Sequence, residues 1–194
     1  MSAPEGSAGV AGVRLAACAT DTVEIAALPR GASALTHAAA ARGVSLCAFG
    51  RIVAANDGFV LSVRPERWLI LAPPAAPGAF PGPWEIAVRG CGAAVDLSAA
   101  LSAFHLSGAA VREMLARGCR LDLDPELFAI GSAAATVVAQ VSVTLAALPS
   151  GLLLLTPAST ARHFREWLAA TAKPFGLMPR PGVTVAHLRA ERFS

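Results

Sequence analysis

Val95 to Leu123, VDLSAALSAFHLSGAAVREMLARGCRLDL, decides how the rest of the chain is read. Val95-Asp96-Leu97 and Leu101 to Leu106 read as extended chain, and Ser107-Gly108 breaks the run. Ser107 is placed to cap a helix, its hydroxyl accepting a backbone N–H that the first turn leaves without a partner. Val111, Met114 and Leu115 then recur at i, i+3, i+4, the spacing of one apolar helix face. Arg112, Glu113 and Arg117 fall on the wet side, and Gly118 stands where a helix end accepts positive φ. The stretch predicts strand, capped helix and an extended segment through Leu121 and Leu123.

Working outward, Thr22 to Leu28 reads as a strand, and Ser33 caps a helix through Leu35 and Ala38 to Ala41 that ends at Gly43. Asn56-Asp57-Gly58 between Ser45–Ala54 and Phe59–Val63 is a hairpin signal, because these residues tolerate the positive φ of a tight turn. Trp68-Leu69-Ile70-Leu71 has no polar alternation, so it predicts a central strand covered on both faces, with Trp68 as core. Residues 72–84 hold five prolines and two glycines and predict loop, with any helix short or absent.

Downstream, Val137, Ala139, Val141, Val143 and Leu145 form one apolar face of a period-two run. Thr136, Gln140, Ser142 and Thr144 lie opposite, with Val138 the exception. Leu152 to Leu155 is the buried return strand. Pro157 opens a last helix with a buried stripe of Ala161, Phe164, Trp167 and Leu168. Residues 1–20 read as a flexible start, 21–93 as a first α+β subdomain, 94–175 as a second, and 176–194 as a C-terminal tail. In that tail Val183, Val185, Leu188 and Phe193 look outward for a partner.

The chain has 194 residues, is 55% hydrophobic and only 15% charged, with a net charge of +3. That charge is too small and scattered for a nucleic-acid surface. Alanine richness reflects either coding bias or apolar surface covered by partner subunits. Cys18, Cys47, Cys91 and Cys119 show no metal-ligand spacing, which predicts reduced thiols. Leu15-Ala16-Ala17-Cys18 looks like a lipoprotein cleavage site, but Arg14 interrupts the apolar core such a signal needs. Leu127 to Ala161 carries no charge, yet Pro149-Ser150-Gly151 divides it below the ~20 residues of a membrane helix. The expectation is a cytoplasmic chain.

No motif commits to chemistry. His37, His105, His163 and His187 share no ligand spacing. His105 and Ser107 are neighbours, but no nucleophile elbow surrounds them, and a helix cap accounts for the serine. Asp122 and Asp124 read as a solvated turn rather than an acid–base pair. Gly90-Cys91-Gly92 lacks the strand-to-helix setting of a dinucleotide loop. No residue is assigned a catalytic, cofactor-binding or metal-binding role.

Leu106-Ser107-Gly108, Leu115-Ala116-Arg117-Gly118-Cys119 and Leu121-Asp122-Leu123 resemble the "LSG…LL.KGC.LDL" stretch of the gamma subunit family of heterotetrameric sarcosine oxidases. Arg64 to Leu71 (RPERWLIL) is similar to that family's "GPDRWLLL", and Thr136 to Trp167 resembles its strand-turn-strand-helix ending. The likeness spans roughly Val23 to Phe175. It implies an α+β fold of two similar strand-helix-hairpin subdomains packed together, resembling the folate-binding aminomethyltransferase-like fold. The 72–84 loop departs from the family, where a helix is expected.

The same resemblance implies a non-catalytic, structural subunit. Its assembly would oxidatively demethylate sarcosine to glycine, yielding hydrogen peroxide and 5,10-methylenetetrahydrofolate or formaldehyde. The partners implied are alpha, beta and delta subunits, and FAD, FMN, NAD and zinc are expected in them rather than in this chain. Two alternatives stand beside it. One is a folate-binding aminomethyltransferase-like enzyme, about twice this length. The other is an iron–sulphur or tRNA maintenance protein, whose K-G-C-[FY]-x-G-Q-[ET] signature survives here only as glycine-cysteine at Gly90-Cys91 and Gly118-Cys119.

Overall fold

The computed structural model describes residues 12–190, which form two sheets flanked by helices. The first sheet takes β2 (Asp21–Ala27), β3 (Arg51–Ala55), β4 (Gly58–Arg64), β5 (Arg67–Ala72) and β6 (Gly92–Asp96). Its order is β3-β4-β5-β2-β6, antiparallel throughout. The second takes β1 (Arg14–Ala19), β7 (Leu101–Ser107), β8 (Ala133–Val138), β9 (Val141–Leu148), β10 (Gly151–Pro157), β11 (Met178–Pro179) and β12 (Val183–Thr184). There the order is β11-β1-β7-β10-β9-β8, with β12 also pairing β1.

Three apolar layers hold this together. Val60 and Ile70 face outward from the first sheet against α1 (Ala32–Ala40) and α2 (Pro81–Ala87), through Leu35, Ala39 and Trp84. Phe59, Leu61, Leu69 and Leu71 face inward and meet Leu153 and Leu155 of the second sheet. Leu152 and Leu154 face outward again, under α3 (Val111–Ala116) and α4 (Ala161–Ala172). The unbroken runs WLIL and LLLL are thus covered on both faces, as their lack of alternation predicts. The order of layers is helix, sheet, sheet, helix.

Several expectations need correction. Of residues 1–20, read as flexible, Arg14–Ala19 is β1, seated between β7 and the β11–β12 segment, while residues 1–11 lie outside the described chain. Leu15 and Cys18 of the apparent cleavage site are therefore buried strand residues. Val95 and Asp96 belong to β6 and pair with β2, so they close the first sheet instead of opening the second half. Ser107 caps nothing: it ends β7 opposite Arg14, and α3 begins only at Val111. Gly108, at φ +116°, makes the turn, and a Cβ there would collide with the Gly12 carbonyl oxygen.

The period-two run is two strands, not one. Ala139 and Gln140, at φ 51° and 65°, form a two-residue turn joining β8 to β9. The segment after Gly118 makes one strand-like bridge, Cys119 to Val138, and is no strand. Pro157 closes β10 at φ −54° and ψ 134° rather than opening α4. The short helix allowed for the proline-rich loop exists as α2. It starts at Pro81, with Pro83 still in the first turn, where a missing N–H costs no helical bond.

The tail also differs from its expectation. Val185 and Leu188 of α5 (Val185–Ala190) are 0% and 3% exposed and pack into the layer between the sheets. Apolar residues in a sequence tail look the same whether they cover their own core or a partner. Phe193, placed with them as an anchor, lies outside the described residues.

Candidate functional site

The layer between the sheets is the place where polar groups meet, and it opens at two ends. At one end β2 and β5 present Glu24 and Arg67 side by side. Arg67 Nη1 donates to Glu24 Oε1 at 2.9 Å, and Arg64 Nη1 lies 4.0 Å from Oε2. Both arginines are half exposed or more, so the pair contributes modestly to stability. Behind it Leu61, Leu69, Leu97 and Leu101 enclose about 110 Å³. Pockets for drug-sized ligands measure roughly 300–1,000 Å³, so this space is smaller than theirs. Trp68 lines this end but is anchored as core, its indole N–H donating to the Cys47 carbonyl at 2.8 Å.

At the other end stand His105 and Ser107. Two residues apart on β7, they share one face of the strand. Ladder register sets Ala16 opposite His105 and Arg14 opposite Ser107. His105 is 8% exposed, and its Nε2 lies 3.2 Å from Ser150 Oγ in the turn between β9 and β10. The imidazole is therefore engaged with a serine 45 residues away in sequence. Both His105 and Ser107 line a cavity of about 350 Å³ under α5.

The remaining candidates lie apart from one another. Asp122 and Asp124 sit in successive turns, their Oδ1 atoms accepting the N–H groups of Asp124 and Glu126 at 2.9 and 2.8 Å. That matches the solvated-turn reading. His37 bonds the Ser33 carbonyl on α1 at 2.8 Å, and His163 is exposed on α4. Burial pushes the Cys18 thiol up to about 12 and the Cys47 thiol up to about 11, so neither is a nucleophile near neutral pH. Among the described residues no group of three or more His, Cys, Asp or Glu side chains could hold a metal ion, and no helix is long and apolar enough to cross a membrane. Sequence reasoning missed Glu24 with Arg67, and Ser150 with His105. Each pair is joined only by strand register across more than 40 residues, and no local pattern marks it.

Comparison with known proteins places these features. Residues 25–173 match the sarcosine oxidase, gamma subunit family. A sarcosine oxidase subunit gamma from Arthrobacter sp is 34% identical over 142 residues, covering 72% of this chain and 68% of its own. Among solved structures, a chain of the heterotetrameric sarcosine oxidase from Corynebacterium sp. U-96, in complex with pyrrole 2-carboxylate, superposes with a TM-score of 0.74 at 28% identity, covering 87% of both chains. The glycine cleavage system aminomethyltransferase T from Bartonella henselae shares the fold at a TM-score of 0.64 and 15% identity. The chain spans 49% of that protein's length.

Proposed function

Because the chain belongs to the sarcosine oxidase, gamma subunit family, we propose that it is the structural, non-catalytic gamma subunit of a heterotetrameric sarcosine oxidase. In this reading its partners are the alpha, beta and delta subunits, which carry FAD, FMN, NAD and zinc. The assembly oxidatively demethylates sarcosine to glycine in the cytoplasm. Hydrogen peroxide forms, and the one-carbon unit leaves as 5,10-methylenetetrahydrofolate or formaldehyde.

The observation that carries this reading is the two-way coverage of 87% with a chain of an assembled sarcosine oxidase, which leaves little of either chain unmatched. The site geometry agrees with it. Asp122 and Asp124 hold turns, and Glu24 is paired to Arg67, which are structural uses of these carboxylates. Exposed apolar side chains, Phe49 at 66% and Leu127 at 70%, are of the kind that permanent partners cover.

The test is co-expression of a tagged chain with the other three subunits. Stoichiometric co-purification, with the isolated chain colourless and inactive toward sarcosine, is the expected result. A flavin bound stoichiometrically to the isolated chain would overturn the non-catalytic assignment. An oxidase that assembles and turns over fully without this chain would overturn its structural role.

A further inference from the structure

The fold guards most of the edges of its sheets. β1 is flanked by β11 and β12. β3 and β8 meet at the Arg51–Ser132 bridge, beside which the Ala133 N–H donates to the Gly50 carbonyl at 2.8 Å. Toward the other end of β8 the Arg120 N–H donates to the Val137 carbonyl at 3.2 Å. β6 is treated differently. It ends the first sheet, and among the described residues only β2 pairs with it.

Register decides which groups of β6 face outward. The Leu28 N–H donates to the Cys91 carbonyl at 3.0 Å and the Leu97 N–H to the Thr22 carbonyl at 2.8 Å. Cys91, Ala93, Val95 and Leu97 therefore turn their main-chain groups toward β2, and Ala94 and Asp96 turn theirs away from the sheet. Ala93 and Val95 stand opposite Ala26 and Glu24, on the face that Leu69 turns to the second sheet. Yet Ala93 is exposed and Val95 is 50% exposed, so the second sheet stops short of β6. Native sheets blunt open edges with lysine, proline or a bulge. The sequence of β6, GAAVD, has neither residue, and its pairing with β2 runs without a register shift. Its charge is Asp96, whose carboxylate accepts the Ser98 N–H at 2.9 Å and is held below its ordinary pKa by the Ser98 hydroxyl and N–H.

Resting on the subunit reading above, we propose that an extended strand of another oxidase subunit adds to the open side of β6. It lays apolar side chains beside Ala93 and Val95 and carries a basic side chain where it passes Asp96. In strand addition the main-chain bonds of the edge give affinity, and alternate side chains give specificity. Asp96 favours such a partner over a second copy of this chain. Two β6 strands paired about Val95 would set their Asp96 carboxylates at diagonal positions on one face, where like charges repel. Pairing about Ala94 instead sets Asp96 opposite Gly92, whose N–H is already given to the Val88 carbonyl at 2.8 Å, so that ladder loses a bond at each end.

Hydrogen exchange read by mass spectrometry, on the full-length chain alone and in the co-purified assembly, tests this. The Ala94 and Asp96 amides should exchange freely in the isolated chain and about tenfold or more slowly in the assembly, with the β2 amides slow in both. Ala94→Pro removes an N–H that β2 does not use, at a kind of position where edge strands accept proline. The isolated variant should keep its melting temperature and lose co-purification about tenfold or more. Val95→Lys, at a half-exposed position, gives the same reading if Ala94→Pro fails to fold. Amides that stay fast in the assembly overturn the proposal, and so do variants that co-purify at full yield. Slow exchange already in the isolated monomer means that the chain's own ends cover β6, and slowing that grows with concentration means that a second copy does; either overturns it. If the wild-type chain does not co-purify at all, the subunit reading fails and takes strand addition with it. If it co-purifies with β6 still fast, strand addition alone fails.

Discussion

Gly118 lies against the indole of Trp167. A Cβ built on its backbone would fall 2.5 Å from Trp167 Cζ2 and 2.9 Å from Cη2. Its φ is not in the left-handed region, so packing and not helix termination requires glycine here. The Gly118 carbonyl also accepts the Ala139 N–H at 3.0 Å, which docks the segment after α3 on the β8–β9 turn. Trp167 cannot retreat freely, because it stacks on Phe164 with ring centroids 6.3 Å apart at 8°.

Gly118→Ala should therefore destabilise the fold by about 1–3 kcal/mol, the usual cost of overpacking. Trp167→Leu should absorb part of that cost. In a double-mutant cycle read by melting temperature, the pair should lose less than the sum of the single variants. Strict additivity would mean the two residues do not press on each other.

Leu115 and Arg112 test the phase of α3. Leu115 is 0% exposed, so Leu115→Asp buries an unpaired charge and should abolish soluble expression. Arg112 is not the bystander that its wet-face position suggests. Its Nη1 donates to the Leu123 carbonyl, and desolvation lowers its pKa while the nearby Asp124 charge opposes that shift. Arg112→Ala should cost about 1 kcal/mol by releasing the 119–124 segment, seen as a melting temperature a few degrees lower. A neutral Arg112→Ala would show that the carbonyl is equally well served by water.

Cys18 and Cys47 should resist alkylation in the native chain at pH 8. With their pKa values pushed to about 12 and about 11, the thiolate fractions are on the order of 10⁻⁴ and 10⁻³. Linkage follows with a definite sign. The folded pKa lies above the ordinary value of 9.0, so the stabilisation is complete below about pH 9 and is lost as pH rises toward 11–12. Denaturant midpoints should fall between pH 9 and 11, and Cys18→Ala should flatten the fall. Equal slopes in variant and wild type would contradict the burial of this thiol.

The apolar runs at Trp68–Leu71 and Leu152–Leu155, the hairpin at Asn56-Asp57 and the helix at Val111–Leu115 were legible because each signal is local. The β8–β9 turn was not, since neither Ala139 nor Gln140 is a residue that favours positive φ. A two-residue turn also shifts the parity of the pattern. Val138 and Val141 pair and face the same way, so the valine that breaks a single-strand alternation is the mark of the turn. The polar groups were illegible for a different reason. Only register brings His105 to Ser150 and Arg67 to Glu24, across 45 and 43 residues. Single-sequence patterns carry period and turn chemistry, not register between distant strands.

The tail supplies the last prediction. Val185 and Leu188 are buried against Phe59, Leu61, Leu69 and Leu71 on one side and Cys18 and Ala103 on the other. β12 meanwhile adds backbone pairs at Cys18 and Ala19. Leu188→Ala should cost about 2–5 kcal/mol, as for other buried leucines, against a typical total stability of roughly 5–15 kcal/mol. Truncation after Gly176 removes β11, β12 and α5 together, opens the layer between the sheets, and should leave a chain that aggregates even when its partner subunits are co-expressed. If the tail instead served only as a contact to another subunit, the truncated chain would stay folded and monomeric and would lose co-purification alone. Circular dichroism and size-exclusion profiles of the truncated chain separate the two, because a docking tail leaves the melting temperature unchanged and a core element does not.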